Sequence, residues 1–129
     1  MTDTYIYLIR ENDWDSDRFL PGGEPADEAS LAMTFGEHQA FQAAVAELGA
    51  RIVGGEALQN AKHGGIVTPG EGEAKVSDAV YTDSPYADSS ELITGYYAFE
   101  VDDEATARKI AALVPTGGTI EWRKVFPIM

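Results

Sequence analysis

Two residues of this chain could exchange a proton near neutral pH, His38 and His63, and they stand in unlike surroundings. Leu31, Phe35, His38, Phe41, Val45 and Leu48 follow one another at steps of 4, 3, 3, 4 and 3. His38 therefore falls on a continuous apolar stripe at helical period. Such a histidine has two readings: a core residue with one satisfied ring nitrogen, or a general base or acid at the edge of a cavity. His63 instead sits in a glycine-rich stretch. Tyr86, Tyr96 and Tyr97 each offer a phenolic hydroxyl to a bound oxygen. Arg123 could hold an anionic substrate group through its planar fork of donors. The chain has no cysteine, which excludes a thiol nucleophile, a disulfide and a Cys-based zinc site. Ser84 stands in no G-x-S-x-G elbow. This set suits isomerisation or lyase chemistry on a small organic molecule better than acyl transfer.

The elements that must position these residues can be read in order. Tyr5 to Ile9, YIYLI, is apolar on both faces and reads as a central strand. Asn12 to Pro25 reads as a loop, with Trp14, Phe19 and Leu20 either pinning it to the body or forming a lid. Asp27 to Ala50 is the main helix, capped by Asp27 or Ser30 and stopped at Gly49. Arg51 to Leu58 reads as a strand, with Gly54-Gly55 as a bulge or point of close approach. A short strand at Ile66 to Thr68 follows. The glycines around it make no phosphate loop, because no helix follows to hold the phosphate. Val76 to Thr82 reads as another strand and Asp83 to Tyr86 as a turn. Ile93 to Val101 is a strand with Tyr97, Phe99 and Val101 on one face and Tyr96, Ala98 and Glu100 on the other. Glu104 to Val114 is a second helix, capped by Asp102 or Asp103 and buried through Ala107, Ile110, Ala111 and Val114. Thr119 to Phe126 is the last strand, with Glu121 and Arg123 sharing a face.

That order makes one α+β domain over 1–129, a ferredoxin-like split βαβ with an inserted β-hairpin. Helices cover one face of such a sheet. The other still carries apolar and aromatic side chains, which implies burial against a partner, most simply a second copy in a homodimer.

A formal charge of −13 opposes contact with nucleic-acid phosphates and with anionic lipid, so neither nucleic acid nor membrane is expected as a partner. The excess of acids is first a solubility feature. The N-terminal MTDTYIYLIRENDWD has an acid at Asp3 and only a short apolar run, unlike a signal peptide. No window approaches the roughly 20 apolar residues of a spanning helix. The expectation is a soluble cytoplasmic protein.

Several segments, in order, resemble the YCII-related, DGPF-domain family. They are the early strand YIYLI, His38 with Gly49 eleven residues on, the following IVGGEAL, the stretch from Asp83, and the closing GGTIEWR from Gly117 to Arg123. Asp83 and Pro85 match the Asp and Pro of the DGPF motif, Ser84 and Tyr86 replace its Gly and Phe, and Glu91 is kept where Ser90 replaces a usual Lys. The resemblance implies a dimeric α/β barrel, in which two ferredoxin-like sheets enclose a shared cavity. It also implies a His–Asp proton-transfer site, His38 with Asp83, and adds Glu91 to the binding residues Tyr86, Tyr96, Tyr97 and Arg123. The alternative is a non-catalytic ligand-sensing or regulatory module, since relatives are often encoded near or fused to sigma factors. His38, His63 and Asp83 show no metal-site spacing, so neither metal nor cofactor is expected.

Overall fold

The computed structural model describes residues 2–11, 28–58, 64–82 and 92–127, without the side chains of 28–35, 82 and 92. Its strands are β1 (Asp3–Glu11), β2 (Arg51–Ala57), β3 (Ile66–Thr68), β4 (Val80–Thr82), β5 (Leu92–Val101) and β6 (Thr119–Lys124). Its helices are α1 (Glu28–Glu47) and α2 (Glu104–Leu113). Four strands form an antiparallel sheet in the order β2-β5-β1-β6. The chain is thus α+β, with an order consistent with a ferredoxin-like fold. β3 and β4 pair separately as the inserted hairpin.

YIYLI lies in a central strand because both of its faces carry apolar side chains. Tyr5, Tyr7 and Ile9 are buried on one face, while Ile6 and Leu8 are half-buried on the other. Register extends the covered face across the sheet. Tyr7 pairs with Tyr97 on one side and Trp122 on the other; Tyr5 pairs with Phe99. Phe41 and Val45 of α1, with Ala107 and Ile110 of α2, close the core over this face. Phe41 meets Phe99 edge-on at 5.6 Å between centroids, and Tyr97 stacks on Phe99 at 5.5 Å. Burying each such ring contributes roughly 1.5–3 kcal/mol.

Helix ends follow their sequence signals. Gly49 takes φ +82, a left-handed conformation natural to glycine, and stops α1. Gly49 N–H bonds to Ala46 O and Ala50 N–H to Val45 O, the paired bonds of a Schellman stop. Of the two aspartates before α2, Asp103 is the cap: its Oδ1 accepts from Thr106 N–H at 2.7 Å. The expected cap at Asp27 and the Asn12 to Pro25 loop lie outside the described residues.

Three expectations need correction. Val76 to Thr82 is a strand only over Val80–Thr82. Its partner β3 offers three residues to pair with, and Asp78 N–H bonds back to Ala74 O instead, closing a turn. The last strand ends at Lys124 rather than Phe126. Val125 N–H still reaches Thr4 O, and Pro127 then has no N–H to continue the pairing. Leu48 completes the stripe by spacing but is exposed, because α1 has ended before it.

Candidate functional site

On the covered face, His38 and Tyr97 form a pair. α1 carries His38 to the edge of the core, one turn before the buried Phe41. β5 carries Tyr97, whose side chain is 9% exposed, beside it. His38 Nδ1 lies 2.5 Å from Tyr97 Oη, and the two ring centroids are 5.8 Å apart. Phe41 closes against the Tyr97 ring at 5.1 Å. Gln42, four residues after His38 on the same helix face, also hydrogen-bonds to this phenol.

The electrostatics give the pair a direction. Burial pushes the Tyr97 phenol above its ordinary value of 10.0, and the Gln42 hydrogen bond only partly opposes this. The hydroxyl therefore keeps its proton at physiological pH. With the phenol protonated, its O–H can donate to Nδ1 of His38. In the tautomer that accepts this O–H the ring proton sits on Nε2, and among the described residues Nε2 has no hydrogen-bond partner.

Gly55 makes the arrangement fit. In β2 it stands directly beside Tyr97, and the register slips between Ile52 and Gly54. A Cβ on Gly55 would lie 2.9 Å from the Tyr97 ring and 3.1 Å from Tyr96 O. The ring lies where a side chain would be, so the expected bulge and the expected close approach are both present.

Tyr7 shows the contrasting case. It stands on the same cross-strand rung as Tyr97 and is fully buried. Its hydroxyl donates to Ala107 O at 2.8 Å, and burial raises its pKa strongly. A backbone carbonyl has no proton to exchange, so that bond ties β1 to α2 and nothing more.

Tyr96 and Arg123 are on the open face of the sheet, away from His38. Cross-strand neighbours there run Glu56, Tyr96, Leu8, Glu121 on one rung and Gly54, Ala98, Ile6, Arg123 on the next. Glu121 Oε1 receives Arg10 Nη2 at 3.0 Å, and its Oε2 lies 3.5 Å from Arg123 Nη2. On the other flank Arg51 bonds Glu100 through Nε at 2.9 Å and Nη2 at 2.5 Å. The structure thus joins His38 to Tyr97 and separates both from Tyr96 and Arg123. Asp83, Tyr86, Glu91 and His63 lie outside the described residues.

Gln42, Gly55, Arg10 and Glu121 were not singled out as site residues by sequence reasoning. Gln42 had a usable signal, its spacing of four from His38. Arg10 and Glu121 are joined only by the pairing of β1 with β6. Among the described residues no group of three or more His, Asp or Glu stands together to hold a metal ion, and no helix is long and apolar enough to cross a membrane. No protein-family model matches the chain, and no curated protein matches it.

Proposed function

We propose that the chain binds a small organic molecule at His38 and holds or moves a proton on one of its oxygens. The 2.5 Å bond between His38 Nδ1 and Tyr97 Oη carries this reading. It ties one ring nitrogen to a buried phenol and leaves Nε2 for a ligand. A carbonyl or enolate oxygen is the acceptor that suits an Nε2–H, and a fixed donor aimed at developing negative charge is the usual aid to enolisation. With Nδ1 taken, Asp83 could bond this ring only at Nε2. The His38–Asp83 pair implied by the YCII-related resemblance would then act at the same nitrogen as the ligand.

A second copy packed on the open face completes the proposal as a dimeric α/β barrel. The face has an apolar centre in Ile6, Leu8 and Tyr96. Its β6 flank, with Arg10, Arg123 and Glu121, carries one net positive charge, and its β2 flank, with Glu56, Glu100 and Arg51, one net negative charge. A two-fold axis running along the strands sets each flank against the opposite one of the partner.

The test is a ligand screen by thermal shift, paired with long-range ¹H–¹⁵N NMR of His38. The Nε2–H tautomer is expected in the wild type and its loss in Tyr97→Phe. His38→Ala should lose the shifts given by carbonyl ligands; a variant that keeps them all removes His38 from the site.

A further inference from the structure

We infer that the β3–β4 hairpin is a docking arm for a basic segment of another protein, one that alternates arginines with apolar side chains. This goes beyond the His38 reading and uses neither His38 nor the open face of the four-stranded sheet.

The hairpin lacks the support that a two-stranded ribbon needs. In chain order it lies between β2 and β5, which pair with each other, yet among the described residues β3 and β4 pair only with one another. A lone hairpin is marginally stable in water and needs a third strand or a packed face. Here the faces are bare. Val67 and Tyr81 are direct cross-strand partners and so share one face; both are exposed, Tyr81 at 68%. Val80, opposite Thr68 on the other face, is 64% exposed. Val76, in the connection between the strands, is exposed as well. Apolar side chains exposed on both sides of so short a ribbon mark a surface that a partner covers.

The connection between the strands is shaped in advance. Gly70 N–H bonds to Lys75 O at 3.1 Å, Ala74 N–H to Glu71 O at 3.0 Å and Asp78 N–H to Ala74 O at 2.9 Å. A side chain on Gly70 would run into Ala74 O, so the turn closes as tightly as a glycine allows. A partner therefore meets a formed turn, which spares part of the ordering cost of binding.

Charge selects the occupant. Residues 64–82 hold Glu71, Glu73 and Asp78 against the single cation Lys75, a net of −2 on a chain at −13. Among the described residues no ion pair ties any of these three acids. A second copy would bring the same acids to the same place, and like charges set against each other cost affinity. A nucleic-acid phosphate would meet the same repulsion. A basic segment meets complementary charge instead. Arginine suits both parts of the surface, since a guanidinium can lie over the bare Tyr81 ring and pair bidentately with a neighbouring carboxylate. In an extended segment, alternate side chains point the same way, so apolar residues between the arginines can pack on the valines.

The probe is the peptide acetyl-Arg-Val-Arg-Val-Arg-Val-amide, titrated into the full chain by ¹H–¹⁵N NMR. Its controls carry Glu for every Arg, or Ser for every Val. The Arg-Val peptide should shift the backbone amides of Val67, Val80 and Tyr81, and the Glu peptide should not. The Arg-Ser peptide should bind about tenfold more weakly, the loss of one buried apolar side chain. Tyr81→Ser should weaken binding about fivefold, and Tyr81→Phe, which keeps the ring face, should stay within about twofold of the wild type. Glu71→Gln with Glu73→Gln should weaken binding and flatten its dependence on salt. These positions are exposed, so the amides of Tyr7 and Phe99 in the core should keep their shifts in every variant. His38→Ala should bind the peptide as the wild type does. Equal binding of the Arg-Val and Arg-Ser peptides, or an affinity unmoved by Tyr81→Ser, overturns the inference, because only a general attraction of cations to an acidic chain would remain. So does a Tyr81→Ser variant that alters self-association in sedimentation and leaves peptide binding unmoved, because the arm would then belong to a second copy.

Discussion

Tyr97 and Tyr96 are neighbours in the chain and face opposite sides of the same sheet, and their surroundings differ in kind. On the covered side the tyrosine hydroxyls meet definite partners. Tyr7 donates to a backbone carbonyl of α2, and Tyr97 meets His38 of α1. Leaving either tip unpaired in the core would cost about 1–3 kcal/mol, so the core selects a specific partner for it. On the open side the polar groups are whole charges paired near water, Arg10 with Glu121 and Arg51 with Glu100. Exposed pairs of this kind contribute little to stability, about 0–1 kcal/mol. The difference teaches where function can be placed at small cost in stability. Ionic groups on the open face are free to change partners, whereas the His38–Tyr97 bond is part of the core and cannot move without disturbing it.

The largest expected break in the contrast comes from Phe99 and Leu8. Phe99→Ala should destabilise the fold by about 3–5 kcal/mol in urea unfolding, since the ring is fully buried among Tyr97, Phe41 and Tyr7. Leu8→Ala, measured at a dilution where the chain is monomeric, should cost far less. Comparable losses would mean that both faces are cores of the monomer.

Gly55→Ala comes next. The added methyl would press on the Tyr97 ring, and overpacking of this kind costs about 1–3 kcal/mol. The ring must give way, so the His38 tautomer signal should change together with stability. Gly54→Ala, whose Cβ would meet only Ala98 at 3.8 Å, should leave that signal intact. Equal effects of the two substitutions would remove Gly55 from the support of the pair.

The smallest effect is read at high pH. Burial raises the Tyr97 pKa, so the folded state holds this proton more tightly than the unfolded chain does. The resulting stability is fully present below about 10, the unfolded value, and is lost as pH rises through the higher folded value. Wild type should therefore lose stability in alkali more steeply than Tyr97→Phe. Tyr7, raised by the same cause, should leave the larger share of the slope in that variant. Parallel wild-type and Tyr97→Phe profiles would show that the phenol ionises as readily folded as unfolded.

Much of this could be read before folding was considered. The period-two alternation in ITGYYAFEV assigned Tyr97 and Phe99 to one side and Tyr96 and Ala98 to the other, as found. The stripe through His38, Phe41 and Val45 located the buried side of α1, and Ala107, Ile110 and Val114 that of α2. Gly49 and Asp103 marked helix ends because their effects are local, a left-handed φ and a hydrogen bond three residues long. The expected strand over Val76 to Thr82 is present only from Val80 on. Ser77, Asp78 and Ala79 are poor strand formers, and β3 offers only three residues to pair with.

Sequence by itself determined the element order, the buried faces and the presence of a histidine on an apolar helix surface, because these follow from periodicity and from interactions spanning a few residues. Only the tertiary structure decided which groups meet. It set His38 against Tyr97, 59 residues on, and Arg10 against Glu121, 111 residues on. Those distances depend on sheet order and register, which the packing of both helices and all four strands fixes together. The same packing put Tyr97 and Arg123 on opposite faces, so residues with the chemistry of one site now stand at two.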